Sequence, residues 1–537
     1  MELTLKGIER SDEWTVAGIE LPKYDIETMR RNTEASPYWI HFGAGNIFRA
    51  FQANAVQKML NEGYIDRGVV VAEGFDYEII TKMNKRHDNL SLLATMKSDG
   101  HIDKTVVASV AEAYVLDSSD IASYERLKEI FAKDSLQMVT FTITEKGYSL
   151  KNSVGKYLDS VSEDIKNGPA NPVSYIGKVA SLLHHRFITG ELPVAMVSMD
   201  NCSHNGDKLK TAIIEIAKAW KKNDFVDGAF IQYLEDGEKV SFPWTMIDKI
   251  TPRPDESVRK MLEADGVENL EPIITGKNTY IAPFVNAEEC EYLVIEDDFP
   301  NGRPQLEKVG FMFTDRKTVD KVERMKVCTC LNPLHTALAV FGCLLGYSKI
   351  SDEMKDDVLV KMINTIGYVE GMPVVVNPGI IDPKDFLNTV ITERIPNPFM
   401  PDTPQRIATD TSQKIPIRFG ETIKRYIESP TLEVQNLKII PLVFAGWLRY
   451  LRGVDDDGNP MELSSDPMLE RLCPIMQGTK FGDRLSDVRD IGNVLSDKVI
   501  FGVGLYEAGL ADMVMDYFDE LNAGPGAVRA TLDKYLG

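Results

Sequence analysis

The apolar residues of this chain change rhythm part-way along. Up to about residue 305, short apolar runs bounded by polar turns alternate with stretches whose apolar positions recur every three to four residues. Tyr38–Phe42, Gly68–Ala72, Val106–Val110, Met138–Ile143 and Val194–Ser198 read as strands. The segment running to about Glu62, with Phe51, Ala55, Val56 and Met59 at helical spacing, reads as a helix, as do Ile121–Ala132, Val173–Arg186 and Asp207–Lys221. From about Val319 helical spacing takes over and little strand signal remains, as in Pro333–Leu345, Asp352–Ile366 and Leu437–Leu451. The expected architecture is an α/β chain: a doubly wound, Rossmann-type domain over 1–305, with residues 1–35 as a lead-in arm, then a mostly α-helical domain over 306–537.

The first strand and helix flank Gly43-Ala44-Gly45-Asn46-Ile47-Phe48, and the second strand ends in Glu73, with Asp76 shortly after. Strand, glycine turn, helix, strand, acid is the order a dinucleotide-binding fingerprint requires. Gly43 permits the tight turn, and Gly45 lets the backbone approach a pyrophosphate at the helix N-terminus. An acid at Glu73 or Asp76 accepts bonds from ribose hydroxyls, which favours NAD over NADP. Two features depart from the fingerprint. Phe48 stands where a third glycine is usual, and Glu73 follows Gly45 by 28 residues where about 20 is usual. A plain structural turn would use the same glycines. Glu145 and Asn201 sit just past the fourth and fifth expected strands, where doubly wound sheets bind ligands. Both also suit solvated turns. Asp248 is a lone acid among apolar residues and needs a partner, either an ion pair or a substrate hydroxyl.

The helical half holds the stretch Lys326-Val-Cys-Thr-Cys-Leu-Asn332-Pro-Leu-His335. Asn332 suits an N-cap and Pro333 the first helical position, which places Asn332 and His335 on one face. Two such donors can hold an oxygen that gains negative charge, and a nearby lysine can move a proton. That set suits interconversion of a carbonyl and an alcohol, although a capped core helix would use the same residues.

The 537 residues carry a formal charge of −21, which argues against nucleic acid or an anionic membrane as the main partner. Six cysteines and seven histidines form no zinc-ligand spacing, and the cysteines read as reduced thiols in a cytoplasmic protein without a bound metal. No leader pattern and no apolar run of about 18 residues is expected.

These stretches together with Thr142–Tyr148, Ser198–Asn201, Phe242–Pro252 and Val294–Pro300 resemble the polyol-specific long-chain dehydrogenase/reductase (mannitol dehydrogenase) family over nearly the whole chain, most closely its fructuronate reductase branch. The resemblance implies metal-independent hydride transfer with NAD(H), in hexuronate breakdown, between D-fructuronate and D-mannonate. Mannitol or tagaturonate is the alternative substrate pair, and a non-catalytic dinucleotide-binding protein is the remote one. It implies Lys326 as general acid/base, Asn332 and His335 as the oxyanion pocket, and Asn201, Asp248, Arg406 and Lys414 as substrate contacts. Glu323 would serve proton passage. The implied partner is a small sugar acid or polyol, and the implied assembly a monomer or small homo-oligomer. The family places four residues between the lysine and the asparagine, whereas this chain places five. One extra residue rotates Lys326 by about 100° on a regular helix, unless a π-bulge or a break before Pro333 absorbs it.

Overall fold

The computed structural model describes residues 1–537 and divides into two compact units, Met1–Lys97 with His101–Asp320, and Ser98–Gly100 with Lys321–Gly537. The division falls past the expected 305 because Met312–Thr314 form a strand paired with Val294–Glu296 in the first unit.

The first unit is built on six parallel strands: β1 (Trp39–Phe42), β2 (Val69–Glu73), β3 (Val110–Val115), β4 (Met138–Phe141), β5 (Val194–Ser198) and β6 (Val240–Ser241). Their order across the sheet is β3-β2-β1-β4-β5-β6. This is the doubly wound order whose reversal between the first and fourth strands opens a crevice at the strand ends. Every residue of β1, β2, β4 and β5 is buried, which explains their unbroken apolar runs. Alternation along β1 sends Ile40 and Phe42 to one core with Leu127, Phe141, Leu182 and Trp220. Trp39 goes to the opposite core with Phe51, Val56, Val71 and Met138. Helices α1 (Ala53–Asn61), α2 (Tyr175–Gly190) and α3 (Asn205–Lys222) supply much of the cover.

Two expectations change here. The run Val106–Val110 is split between the strand Ile102–Val107 and β3, because Ser109 turns out to bond the Ala53 carbonyl and to accept the Val69 N–H. The lead-in arm is also part of a sheet, since Ile19–Glu20 pair with Lys104 and Thr105.

The second unit is helical. Helix α4 (Arg316–Met325) begins in the first unit and runs into a π-turn at Lys326–Cys330, then into α5 (Asn332–Leu344). This 29-residue stretch is long and apolar enough to cross a membrane, yet 78% of its most apolar window is buried in the protein, as a core helix is. Helix α6 (Ile439–Tyr450) is buried along its whole length and packs on α5 and on α7 (Ala511–Leu521). Gly446 permits that approach, because a Cβ there would lie 2.7 Å from the Phe341 ring. The N-terminus of α6 has no cap of its own. Glu370, buried in the π-turn Thr365–Gly371, accepts the N–H groups of Lys438, Ile439 and Ile440 at 2.6, 2.7 and 2.9 Å. The negative carboxylate also suits the positive end of the helix. Glu370→Ala leaves those buried donors unmet and is expected to lower stability by about 2–3 kcal/mol, read as a fall in the denaturation midpoint. An unchanged midpoint would remove Glu370 from this role.

Candidate active site

The first unit holds a cavity of about 500 Å³ at the carboxyl ends of β1, β2 and β4. Gly43, with φ 109°, opens its floor, and a Cβ there would lie 2.3 Å from the Thr142 carbonyl. Gly45 faces open space, so the bare backbone is what a ligand meets. The rest of the glycine turn serves the scaffold. The Ala44 N–H donates to Glu73 (2.8 Å). Asn46 accepts from Arg49 and donates to the Pro252 carbonyl. Ile47 is half-buried and leads into a π-turn, Phe48–Gln52. Phe48 is buried and stacks on His41 at 4.4 Å, so it fills the core where the third glycine would lie and does not line the cavity.

Glu73 and Asp76 both line the cavity and both are buried. The Glu73 carboxylate accepts the N–H groups of Ala44, Phe75 and Asp76, and burial raises its pKa against the pull of those bonds. Glu73 thus ties the glycine turn to the end of β2. Asp76 accepts the Thr275 hydroxyl at 2.6 Å. The Tyr175 hydroxyl is buried at the cavity wall with no partner. A bare glycine backbone, two acids and an unmet hydroxyl fit the pyrophosphate and ribose of a dinucleotide.

Glu145 is turned away from this cavity. It begins a short helical turn, is exposed, and pairs with Lys208. Its place at the strand end does not aim its side chain, because the backbone turns at Thr144. Thr144 has φ 64° and ψ 159°, a region almost confined to glycine. Asp200, which sequence reasoning passed over beside Asn201, holds it there. The Asp200 carboxylate accepts the N–H groups of Ile143 (3.0 Å) and Thr144 (2.8 Å) and the Tyr148 hydroxyl. Burial raises the pKa of Asp200, and those bonds oppose the rise. Asn201 itself is exposed, and Asp248 is buried at the end of the strand Thr245–Asp248.

In the second unit, Glu323, Lys326, Asn332 and His335 lie along one helical run. Leu331, at φ −129° and ψ −61°, departs from helical backbone just before α5, and Asn332 is the first residue of α5, with no side-chain cap, where an N-cap was expected. The extra residue is taken up by the π-turn Lys326–Cys330, closed by the Leu331 N–H on the Lys326 carbonyl (3.1 Å). A π-turn holds one residue more than an α-turn, so it can take up an insertion within the helical run. Lys326 is buried, while Glu323, Asn332 and His335 are half-buried.

Four further charged side chains, Asp402, Arg406, Lys414 and Arg418, gather about the start of α5. His335 Nε2 lies 3.9 Å from buried Asp402, and Asp402 also pairs with Arg406. Lys414 donates to the carbonyls of Ile407 and Thr409. Burial, joined by the charges of Arg418 and Arg406, lowers its pKa to about 8. Arg418 in turn donates to the Asn332 carbonyl (3.4 Å) and the Thr336 hydroxyl (2.6 Å). Asp402 and Arg418 were not among the expected site residues. The proline-flanked Asp402 and the four-residue step from Lys414 to Arg418 were the available signals.

A Rossmann-domain family model of mannitol dehydrogenase matches residues 38–308, and its C-terminal-domain model matches 318–522. The chain belongs to the mannitol dehydrogenase family. A D-mannonate oxidoreductase of Thermotoga maritima is 52% identical over 100% of this chain and 99% of its own. Among solved structures, the mannitol 2-dehydrogenase of Pseudomonas fluorescens in ternary complex with NAD and D-mannitol matches with TM-score 0.69 and 25% identity. It covers 100% of this chain and 99% of that one. A substrate-free D-sorbitol dehydrogenase shares the fold, with TM-score 0.78 and 24% identity over 97% and 98%.

In this member of the family the strained Thr144 has a testable consequence. Asp200→Asn is expected to weaken NADH binding at least about tenfold, measured by fluorescence titration. Adding Thr144→Gly, which removes the strain, is expected to restore most of it. No recovery in the double variant would show that Asp200 does not act through Thr144.

Proposed function

We propose that this chain is the NAD(H)-dependent oxidoreductase that interconverts D-fructuronate and D-mannonate. The observation that carries the reading is the end-to-end match, at 52% identity, to a relative named D-mannonate oxidoreductase. The cavity at Gly43, Gly45, Glu73 and Asp76 suits the dinucleotide. The three cations near α5 suit a substrate with a carboxylate, and Arg406 offers the bidentate geometry. Six free thiols agree with a cytoplasmic enzyme.

In the reductive direction the hydride for the substrate carbonyl would come from NADH held at Gly43, Gly45, Glu73 and Asp76. Asn332 and His335 donate hydrogen bonds to the carbonyl oxygen as its charge grows. Lys326 delivers the proton that completes the alcohol, and Glu323, one turn earlier, re-supplies it. Asn201 and Asp248 hold substrate hydroxyls, while Arg406 and Lys414 hold the carboxylate.

The first test is NADH consumption with D-fructuronate, D-tagaturonate and D-fructose in parallel. Rapid turnover of D-fructuronate alone is expected, and turnover of D-fructose alone would overturn the reading. Lys326→Ala is expected to lose about 10³-fold or more in kcat with NADH affinity kept; near-normal turnover would remove lysine from the chemistry. Lys414 adds a pH signature. Below about 8 it is charged and can hold a carboxylate, and above about 8 it loses that charge. The kcat/KM for the acid is therefore expected to fall as pH rises through about 8, and Lys414→Arg should move that fall upward. A profile unchanged in Lys414→Arg would assign the fall to another group.

A further inference from the structure

The cations beside the Asn332 end of α5 are not equivalent. Arg406 is paired with Asp402. Lys414 is bonded to two backbone carbonyls, and the charges of Asp410 and Asp466 reach it. Arg418 has no acid near it. One of its terminal nitrogens donates to the Asn332 carbonyl and the Thr336 hydroxyl, both uncharged acceptors. Its other three N–H groups meet no acceptor in the protein. Burial alone acts on its proton affinity, pulling the pKa down to about 10, and no carboxylate opposes that pull.

Arg418 is half-buried, and a guanidinium partly withdrawn from water without a counter-charge is costly, so proteins seldom keep one that nothing uses. The backbone holds this one in place. Arg418 sits in the π-turn Pro416–Gly420. A Cβ at Gly420 would lie 2.4 Å from the Phe501 carbonyl, so the turn is pressed against Phe501 and cannot retreat from α5. The uncommitted part of a planar fork is left beside the residue proposed to hold the reacting carbonyl, and that geometry matches a carboxylate.

We infer that Arg418 is a specificity-determining residue whose free N–H groups receive the substrate carboxylate, selecting sugar acids over neutral polyols and ketoses. This rests on the hexuronate reading above and names the group that enforces it. Arg406 is shared with Asp402 and Lys414 with two carbonyls, so Arg418 adds to their hold on the acid the one fork that no acid engages.

The test compares wild type, Arg418→Gln, Arg418→Lys and Thr336→Val, with NADH saturating and D-fructuronate or D-fructose varied. Arg418→Gln is expected to lose about 100-fold or more in kcat/KM for the acid, mostly in KM. The acid-to-neutral ratio should fall at least about 30-fold. Arg418→Lys keeps the charge without the fork and should lose less. Thr336→Val removes only the neutral bond and should leave the ratio within about threefold. If wild type ignores D-fructose, the readout is D-mannonate affinity for the enzyme–NADH complex, expected to weaken at least about 30-fold in Arg418→Gln. Equal losses on both substrates, or an unchanged KM for the acid, would overturn the proposal. A wild type that reduces D-fructose but no keto-acid would overturn the hexuronate reading instead.

Discussion

The second unit depends on one local compromise, the π-turn at Lys326–Cys330 inside the helical run from Arg316 to Leu344. Pro333 has no N–H to give and, in a regular helix, its ring would clash with the carbonyl four residues before it. An extra residue between Lys326 and Asn332 would also rotate the lysine away from its partners. The π-turn and the non-helical Leu331 (φ −129°, ψ −61°) answer both demands at one place. The run continues, and α5 buries its apolar body while Asn332 and His335 stay half-buried at its start.

Around that start the charges are arranged as a chain of contacts. His335 leads to Asp402, Asp402 to Arg406, and Lys414 lies within the fields of Arg406 and Arg418. Arg418 returns to Asn332 and Thr336. Three cations, Arg406, Lys414 and Arg418, gather in this cluster, and burial lowers the proton affinity of Lys414 and Arg418. Such a cluster is eased by an incoming anion, so local electrostatics and not the strongly negative net charge decide what it attracts.

The first unit uses its acids in the opposite way. Glu73 and Asp200 each spend their oxygens on backbone N–H groups, one holding the glycine turn and the other holding Thr144 in a conformation threonine resists. Backbone amides pinned by buried carboxylates form a rigid rim to the cavity, a form of preorganisation that suits binding of a fixed ligand shape.

The sequence by itself determined the alternation of strands and helices, the glycine turn after β1, and the pairing of Asn332 with His335, because these rest on local periodicity and steric rules. It also showed that Lys326 stood one residue too far away. Only the tertiary structure decided the rest. That the insertion becomes a π-turn depends on the packing of the whole helical run. That Phe48 stacks on His41, and that Glu145 turns to Lys208, depends on neighbours distant in the chain. Asp200, Asp402 and Arg418 carried little local signal in the sequence. They matter because folding brings Asp200 to the Thr144 backbone, Asp402 to His335, and Arg418 to Asn332 across 86 residues, and charge and hydrogen bonding act through space rather than along the chain.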